Sequence, residues 1–236
     1  MNSLNTFTKK FLLKPEATIL LHSSDKDYSL KKIVSSFILF DLILILANGV
    51  LFGLVVLIYG DFHSLVKSNS TLTTSVFLTL KIMLLAPLIE ELGFRLSLIV
   101  SRFTVSISLG IQIGIISQIV FNFDYHILIR FFLMFLFAGI VYLILNKQII
   151  SLIKKYHRQY IYYNIIFFGF LHITNYELST TIHYFLIPIL VFQNVVFGAY
   201  ISFLRMTYGF KIAVMMHLFH NTFFGIVCYL ILLYNG

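Results

Sequence analysis

Seven long apolar segments constrain the fold of this chain more than any other feature. Each approaches the roughly 20 residues that a helix needs to cross a bilayer. Charged residues make up only 11% of the 236 residues and the mean hydropathy is +0.95, whereas soluble domains carry about 25% charged residues. The sequence therefore predicts an all-α, polytopic bundle of transmembrane helices. The predicted spans are 33–59, 74–100, 104–121, 126–146, 160–176, 182–204 and 209–234.

The basic residues between these segments predict the orientation. The chain has 17 basic and 9 acidic residues, a formal net charge of +8. With the N-terminus in the cytoplasm, 13 of the 17 basic residues lie on the inner side, only Lys67 lies outside, and three lie within spans. This bias favours an N-in, C-out arrangement, with contacts to anionic lipid headgroups rather than nucleic acid. The inner residues are Lys9, Lys10, Lys14, Lys26, Lys31, Lys32, Arg102, Lys147, Lys154, Lys155, Arg158, Arg205 and Lys211.

The organisation is a single membrane domain, 33–236, preceded by a polar arm, 1–32. The arm is expected in the cytoplasm or as a helix along the membrane surface. Two spacings, Gly49-x-x-x-Gly53 and Gly110-x-x-x-Gly114, favour close helix packing. The Ile-, Phe-, Lys- and Asn-rich usage favours a bacterial chain, and so an integral, multi-pass protein of the cytoplasmic membrane.

Three separate spans carry ionisable groups in the middle of apolar sequence. A charge at the centre of a bilayer costs at least ~2.5–3.5 kcal/mol on insertion scales, so such groups should face a protein interior or a cavity. At 1.5 Å per residue, Glu90, His172 and His217 lie about 15, 18 and 12 Å from the cytoplasmic ends of their spans. Because the three depths are similar, we expect the groups to converge on one buried site. The clusters are Glu90, Glu91 and Arg95, then His172, and finally His217 and Asn221.

Helical spacing suggests a role for each group. Glu91 and Arg95 are four residues apart and can pair, which leaves Glu90 as a base. Glu90 would then take a proton from a water molecule that His172 orients.

The last span supplies the remaining groups. His217 and Asn221, also four residues apart, could donate hydrogen bonds to the oxyanion that forms when water attacks a carbonyl. Alternatively, Glu90, His172 and His217 could hold a divalent metal such as zinc, with water in the open fourth position. His220 is interpreted as a packing or flanking residue, and Asp41 as a residue that snorkels or pairs with a neighbour.

The ordered patterns EExxxR, FxxxH and HxxxN resemble those of the CPBP (CAAX-processing and bacteriocin-processing, or Abi) intramembrane endopeptidases, which include the type 2 CAAX prenyl proteases. The resemblance covers about residues 74–236. It implies a hydrolase that cuts a membrane-associated protein or peptide, and it leaves open whether the water is activated with or without a metal. The site residues it implies are Glu90, Glu91, Arg95, His172, His217 and Asn221.

Two other classes of protein remain as alternatives. A non-catalytic scaffold or immunity protein could keep the same fold and act by binding. An ion- or proton-coupled transporter also places Glu, His and Arg near the middle of the membrane. The absence of repeated halves in the sequence disfavours the transporter.

Overall fold

The computed structural model describes residues 7–16, 29–59, 81–121, 127–176 and 181–235, and it confirms an all-α fold. No β-strand occurs within these ranges. Short turns accompany the α-helices. They include the π-helical turns Phe7–Phe11 and Lys81–Leu85 and the 3₁₀ turns Leu96–Leu98 and His172–Asn175, and Pro15 and Glu16 are also in 3₁₀ conformation. The α-helices are α1 (Leu30–Tyr59), α2 (Ala86–Phe94), α3 (Arg102–Phe121), α4 (Ile127–Ile144), α5 (Lys147–Lys155), α6 (His157–Leu171), α7 (Thr181–Tyr208) and α8 (Phe210–Asn235).

Several of these helices are long and apolar enough to cross a membrane. Three meet both conditions over Leu30–Leu57, Arg102–Phe121 and Tyr184–Tyr208, and α4 with α5 makes a fourth if that bent pair is one span. These three or four helices are compatible with an integral membrane protein. Residues 1–6 and 17–28 of the predicted arm, and 74–80 of the second predicted span, lie outside the described residues.

The described part of the second predicted span is not one continuous helix. The π-helical turn Lys81–Leu85 leads into α2, which has Pro87 in its first turn, and α2 ends at Phe94. The last turn of an α-helix leaves carbonyl groups without a partner inside the helix. Two of them accept hydrogen bonds from α3: Ser108 donates to the Leu92 carbonyl at 2.9 Å and Gln112 to the Gly93 carbonyl at 2.7 Å. The described part of this segment is therefore helical from Lys81 to Phe94, with an end that its neighbour fixes, and the span over 74–100 stays a prediction.

Close packing between α3 and α4 depends on the glycines of α3. A Cβ on Gly110 would clash with the backbone nitrogen of Ala138, and one on Gly114 would lie 2.6 Å from Met134 Cγ. The predicted role of this spacing in helix packing is confirmed. A Cβ on Gly49 or Gly53 would meet nothing within 4 Å among the described residues, so the same spacing in α1 makes no such contact.

Helix α7 lies at the centre of the bundle and packs against α1, α6 and α8. Its aromatic residues bind the described part of the N-terminal arm: the rings of Phe7 and Tyr200 lie 5.0 Å apart, and those of Phe11 and Phe203 lie 5.7 Å apart. Phe7 and Phe11 are both buried. Phe7 and Phe11 of the arm are therefore part of the folded core.

The outer surface of the bundle is strongly apolar, and several polar side chains are buried inside the bundle. Apolar surface of this extent is unusual for a soluble protein and is typical of contact with lipid. Helix α1 contributes the largest run of exposed apolar side chains, which comprises Ile38, Leu39, Leu42, Ile43, Leu46, Val50, Leu54, Val56 and Leu57.

Candidate active site

The candidate site is built around Glu91, which is completely buried on α2. Its Oε1 atom accepts a hydrogen bond from Nδ1 of His217 at 2.8 Å and lies 3.5 Å from Nη1 of Arg95. The predicted Glu91–Arg95 pairing is thus present. The free-energy cost of removing a carboxylate from water is offset only when opposite charge and hydrogen bonds surround it. Here Arg95, directly after α2, supplies the charge, and His217 of α8 supplies the hydrogen bond.

Glu90 lies beside the same histidine on its other side. The Oε2 atom of Glu90 is 3.5 Å from Nε2 of His217, and the Glu90 side chain is 24% exposed. The imidazole of His217 therefore lies between two carboxylates, one sealed inside the bundle and one at its edge. Glu90 and His217, which the sequence analysis expected to converge, thus lie next to each other, and the α8 histidine also reaches Glu91.

Arg95 is almost completely buried directly after α2. Its guanidinium carbon lies 3.8 Å above the ring of Phe168, and Nη2 lies 3.5 Å from the Gly198 carbonyl. A Cβ on Gly198 would approach Phe168 to 2.7 Å and Arg95 to 3.2 Å. The absence of a side chain at Gly198 thus makes room for the stack. A guanidinium above an aromatic face gains a cation–π attraction of about 2 kcal/mol when desolvated.

His172 lies in the turn that follows α6. Its Nδ1 donates to the Phe168 carbonyl at 2.9 Å, because a carbonyl can only accept, and the neutral ring then carries its lone pair on Nε2. The ring of Phe168 lies 4.7 Å from His172 and 6.2 Å from His217. His172 is therefore separated from the cluster by the ring of Phe168. The cluster consists of the Glu91–His217 hydrogen bond and the Glu91–Arg95 ion pair.

Asn221 lies on α8 one turn after His217 and is half-buried. A metal would require three or more ligands to converge. Among the residues described, no group of three His, Cys, Asp or Glu side chains is arranged to hold a metal ion. The set Glu90, His172 and His217 thus does not fit a metal site in this conformation.

A buried polar network fixes the end of α2 to its neighbours. Gln112 donates to Asn164 at 3.0 Å and accepts from the Tyr163 hydroxyl at 2.9 Å, in addition to its bond with α2. Tyr160 donates to Ser97 at 2.8 Å, just after Arg95. Arg205 of α7 donates to the Arg95 carbonyl at 3.1 Å. Since α2 is only nine residues long, these bonds hold its glutamates in position.

A second carboxylate–histidine pair lies next to the site, and the sequence analysis assigned it no chemistry. His220 of α8 donates from Nδ1 to Asp41 of α1, with 3.0 Å to each carboxylate oxygen. The ring of Phe197 lies 5.1 Å from His217 and 4.2 Å from His220. The sequence did contain a signal for this pair. Asp41 lies within an apolar segment, and a carboxylate in such a place requires a polar partner.

Comparisons with models of protein families, with curated proteins and with solved structures find no match to this chain.

Proposed function

We propose that this chain is an intramembrane endopeptidase of the CPBP type, which hydrolyses a peptide bond in a membrane-associated protein or peptide. The observation that carries the proposal is the position of His217 between Glu91 and Glu90, at 2.8 and 3.5 Å. Buried ionisable clusters of this kind are a feature of acid–base catalysis.

The cluster can hold a transferable proton. Carboxylates accept hydrogen bonds, so Nδ1 of His217 carries a proton toward Glu91. The Nε2 atom and Glu90 then repel unless one further proton lies between them. That proton is either on Nε2, which makes the histidine cationic, or on Glu90. Glu91 and Arg95 keep the ring of His217 in place. Glu90 and His217 form the pair that exchanges the proton, and Glu90 lies at the edge of the bundle.

These properties suit a hydrolytic step. With the shared proton on His217, the Glu90 carboxylate takes a proton from water, and the oxygen of that water bonds to the carbonyl carbon of the scissile peptide. The carbonyl π electrons move to its oxygen. Collapse of this intermediate breaks the carbon–nitrogen bond, and the proton on Glu90 passes to the leaving amine. In this scheme His172 accepts a hydrogen bond from the water through Nε2, and Asn221 donates to the oxyanion.

His217 has a different role here from the one its sequence spacing suggested. Both of its ring nitrogens already face carboxylates, so it holds and tunes Glu90 and leaves oxyanion stabilisation to Asn221.

We further propose seven spans with the N-terminus inside and the C-terminus outside. Contacts among segments assigned to the inner side support this topology. His157 at the start of α6 lies 2.9 Å from the Leu98 carbonyl, and Tyr162 donates to the Leu12 carbonyl of the arm at 2.8 Å. Arg102 at the start of α3 donates to the Tyr142 carbonyl near the end of α4 at 2.6 Å.

Cleavage of membrane-anchored peptides, followed by mass spectrometry, tests the proposed activity. The wild-type protein and a Glu16→Gln control, which changes a carboxylate in the arm, should both cleave. Glu90→Gln should reduce the rate by about 10²–10⁴-fold, the contribution of a general base. A chelator should leave the rate unchanged. Wild-type rates in Glu90→Gln would exclude the mechanism, and no cleavage by any form would favour the scaffold or immunity alternative.

A further inference from the structure

Helix α5 is separated from α4 by a sharp, well-defined break. The two helices meet at 96°. The Asn146 backbone between them is extended, and its side chain accepts a hydrogen bond from the Ile149 amide at 2.9 Å. This is the geometry of a helix N-cap, which starts a new helix. If α4 crosses the membrane, α5 runs along the membrane surface.

The residues of α5 divide into two faces. At 100° per residue, its polar side chains occupy one arc and its four apolar side chains the opposite arc. The polar side chains are all exposed, whereas Ile149, Ile150 and Ile153 are half-buried and Leu152 is 55% exposed. A nine-residue helix is marginal in water without a surface to cover its apolar side. The polar face consists of Lys147, Gln148, Ser151, Lys154 and Lys155.

The charge around α5 has one sign. No acidic residue occurs in the sequence between Asp124 and Glu177. Lys155 lies 5.5 Å from the ring of Tyr156, and Arg158 lies 5.7 Å from that of Tyr162. Tyrosines next to basic side chains are typical of the boundary between headgroups and acyl chains.

From this arrangement we infer that α5 lies in the plane of the membrane, with its apolar face in the acyl-chain boundary and its lysines bound to anionic lipid headgroups. The occupant of this surface is the bilayer itself, because the uniform positive charge complements acidic headgroups and the exposed Leu152 requires an apolar surface. This inference does not depend on the proposed peptidase activity.

Site-specific fluorescence on the full-length protein tests the placement of α5. In a Cys228→Ser background, an environment-sensitive dye is attached at Leu152→Cys or, as the matched control on the polar face, at Ser151→Cys. In vesicles of phosphatidylcholine and phosphatidylglycerol, quenchers on shallow acyl positions should reach the dye at 152, and aqueous iodide should reach the dye at 151. Iodide access at 152 would overturn the inference.

Lipid selectivity tests the headgroup contact separately. The protein is released from mixed-lipid nanodiscs, and retained phosphatidylglycerol is measured relative to phosphatidylcholine by mass spectrometry. Changing Lys147, Lys154 and Lys155 to Gln should reduce the preference by about fivefold per lysine, whereas changing them to Arg should preserve it. Thermal unfolding confirms that both variants fold. Equal retention by the Gln and Arg variants would show that anionic headgroups do not bind here.

Discussion

At the scale of single residues, Glu91 has the most demanding environment in the candidate site. Its Oε1 atom faces both Arg95 and His217, and neither Glu91 nor Arg95 has meaningful exposure to solvent. Removing one member of a buried ion pair costs about 3–5 kcal/mol because the partner charge stays buried. Glu91 is therefore as important for stability as for the electrostatics of the site.

We expect Glu91→Ala to lower the free energy of unfolding by about 3–5 kcal/mol, since Arg95 and His217 lose their shared acceptor. The double variant Glu91→Met/Arg95→Met should recover part of the loss, because no guanidinium then remains unpaired. Equilibrium unfolding in detergent measures both. The Glu90→Ala variant is the control, and it should cost less because the Glu90 side chain is 24% exposed. Equal losses for the two glutamates would contradict this account.

The sequence anticipated part of this site, for reasons that are local. The four-residue spacing of Glu91 and Arg95 on a helix is sufficient to predict their pairing. The contact of His217 with both glutamates depends on how α8 packs against α2, which no local pattern encodes. Likewise, the ring of Phe168 between His172 and the cluster is a consequence of packing, although the spacing of Phe168 and His172 is visible in the sequence.

At the scale of the elements, the packing of α3 against α4 depends on the missing side chain of Gly110. The positions of most helices followed from apolar runs, since length and hydropathy are local properties. The residue at which α2 ends could not be predicted from an apolar run, because it depends on hydrogen bonds from Ser108 and Gln112 of another helix. Tertiary partners of this kind override the apolar pattern that continues past Phe94.

Gly110→Ala should destabilise the protein by about 1–3 kcal/mol, because its Cβ would meet the backbone of Ala138 and force α3 away from α4. Gly139→Ala, one residue beyond that contact, is the matched control. Its Cβ would meet nothing within 4 Å, so it should be neutral or stabilising by up to about 1 kcal/mol. Thermal unfolding in detergent distinguishes the two. If both variants unfold at the wild-type temperature, close packing at Gly110 does not matter.

At the scale of the whole molecule, two residues of the N-terminal arm, Phe7 and Phe11, belong to the core. Phe7 and Phe11 join an aromatic cluster with Phe40, Tyr200 and Phe203, which links the arm to α1 and α7. This burial could hardly be predicted from the sequence, because Phe11 lies among lysines and a helix far along the chain determines its burial. The arm should therefore contribute to global stability.

Phe11→Ala should lower the free energy of unfolding by about 3–5 kcal/mol, since the residue is fully buried. Leu13→Ala is a suitable control because Leu13 is 63% exposed, and a surface change costs within about 0.5 kcal/mol. Chemical unfolding monitored by intrinsic tyrosine fluorescence gives both values. A Phe11→Ala protein as stable as Leu13→Ala would mean that the arm is dispensable.

The pair between Asp41 and His220 has a consequence for biogenesis. Asp41 leaves the ribosome 179 residues before its partner, so α1 reaches the membrane with its carboxylate unsatisfied. Insertion of α1 alone carries a penalty of about 2.5–3.5 kcal/mol for Asp41, which the contact with His220 of α8 relieves. Because α1 is otherwise strongly apolar, it should still insert in chains truncated before α8, but less efficiently than α1 of a truncated Asp41→Leu chain in an insertion assay. Equal insertion of α1 in the two truncated chains would contradict this. The contact between Asp41 and His220 thus stabilises α1 in the membrane only after α8 has been synthesised.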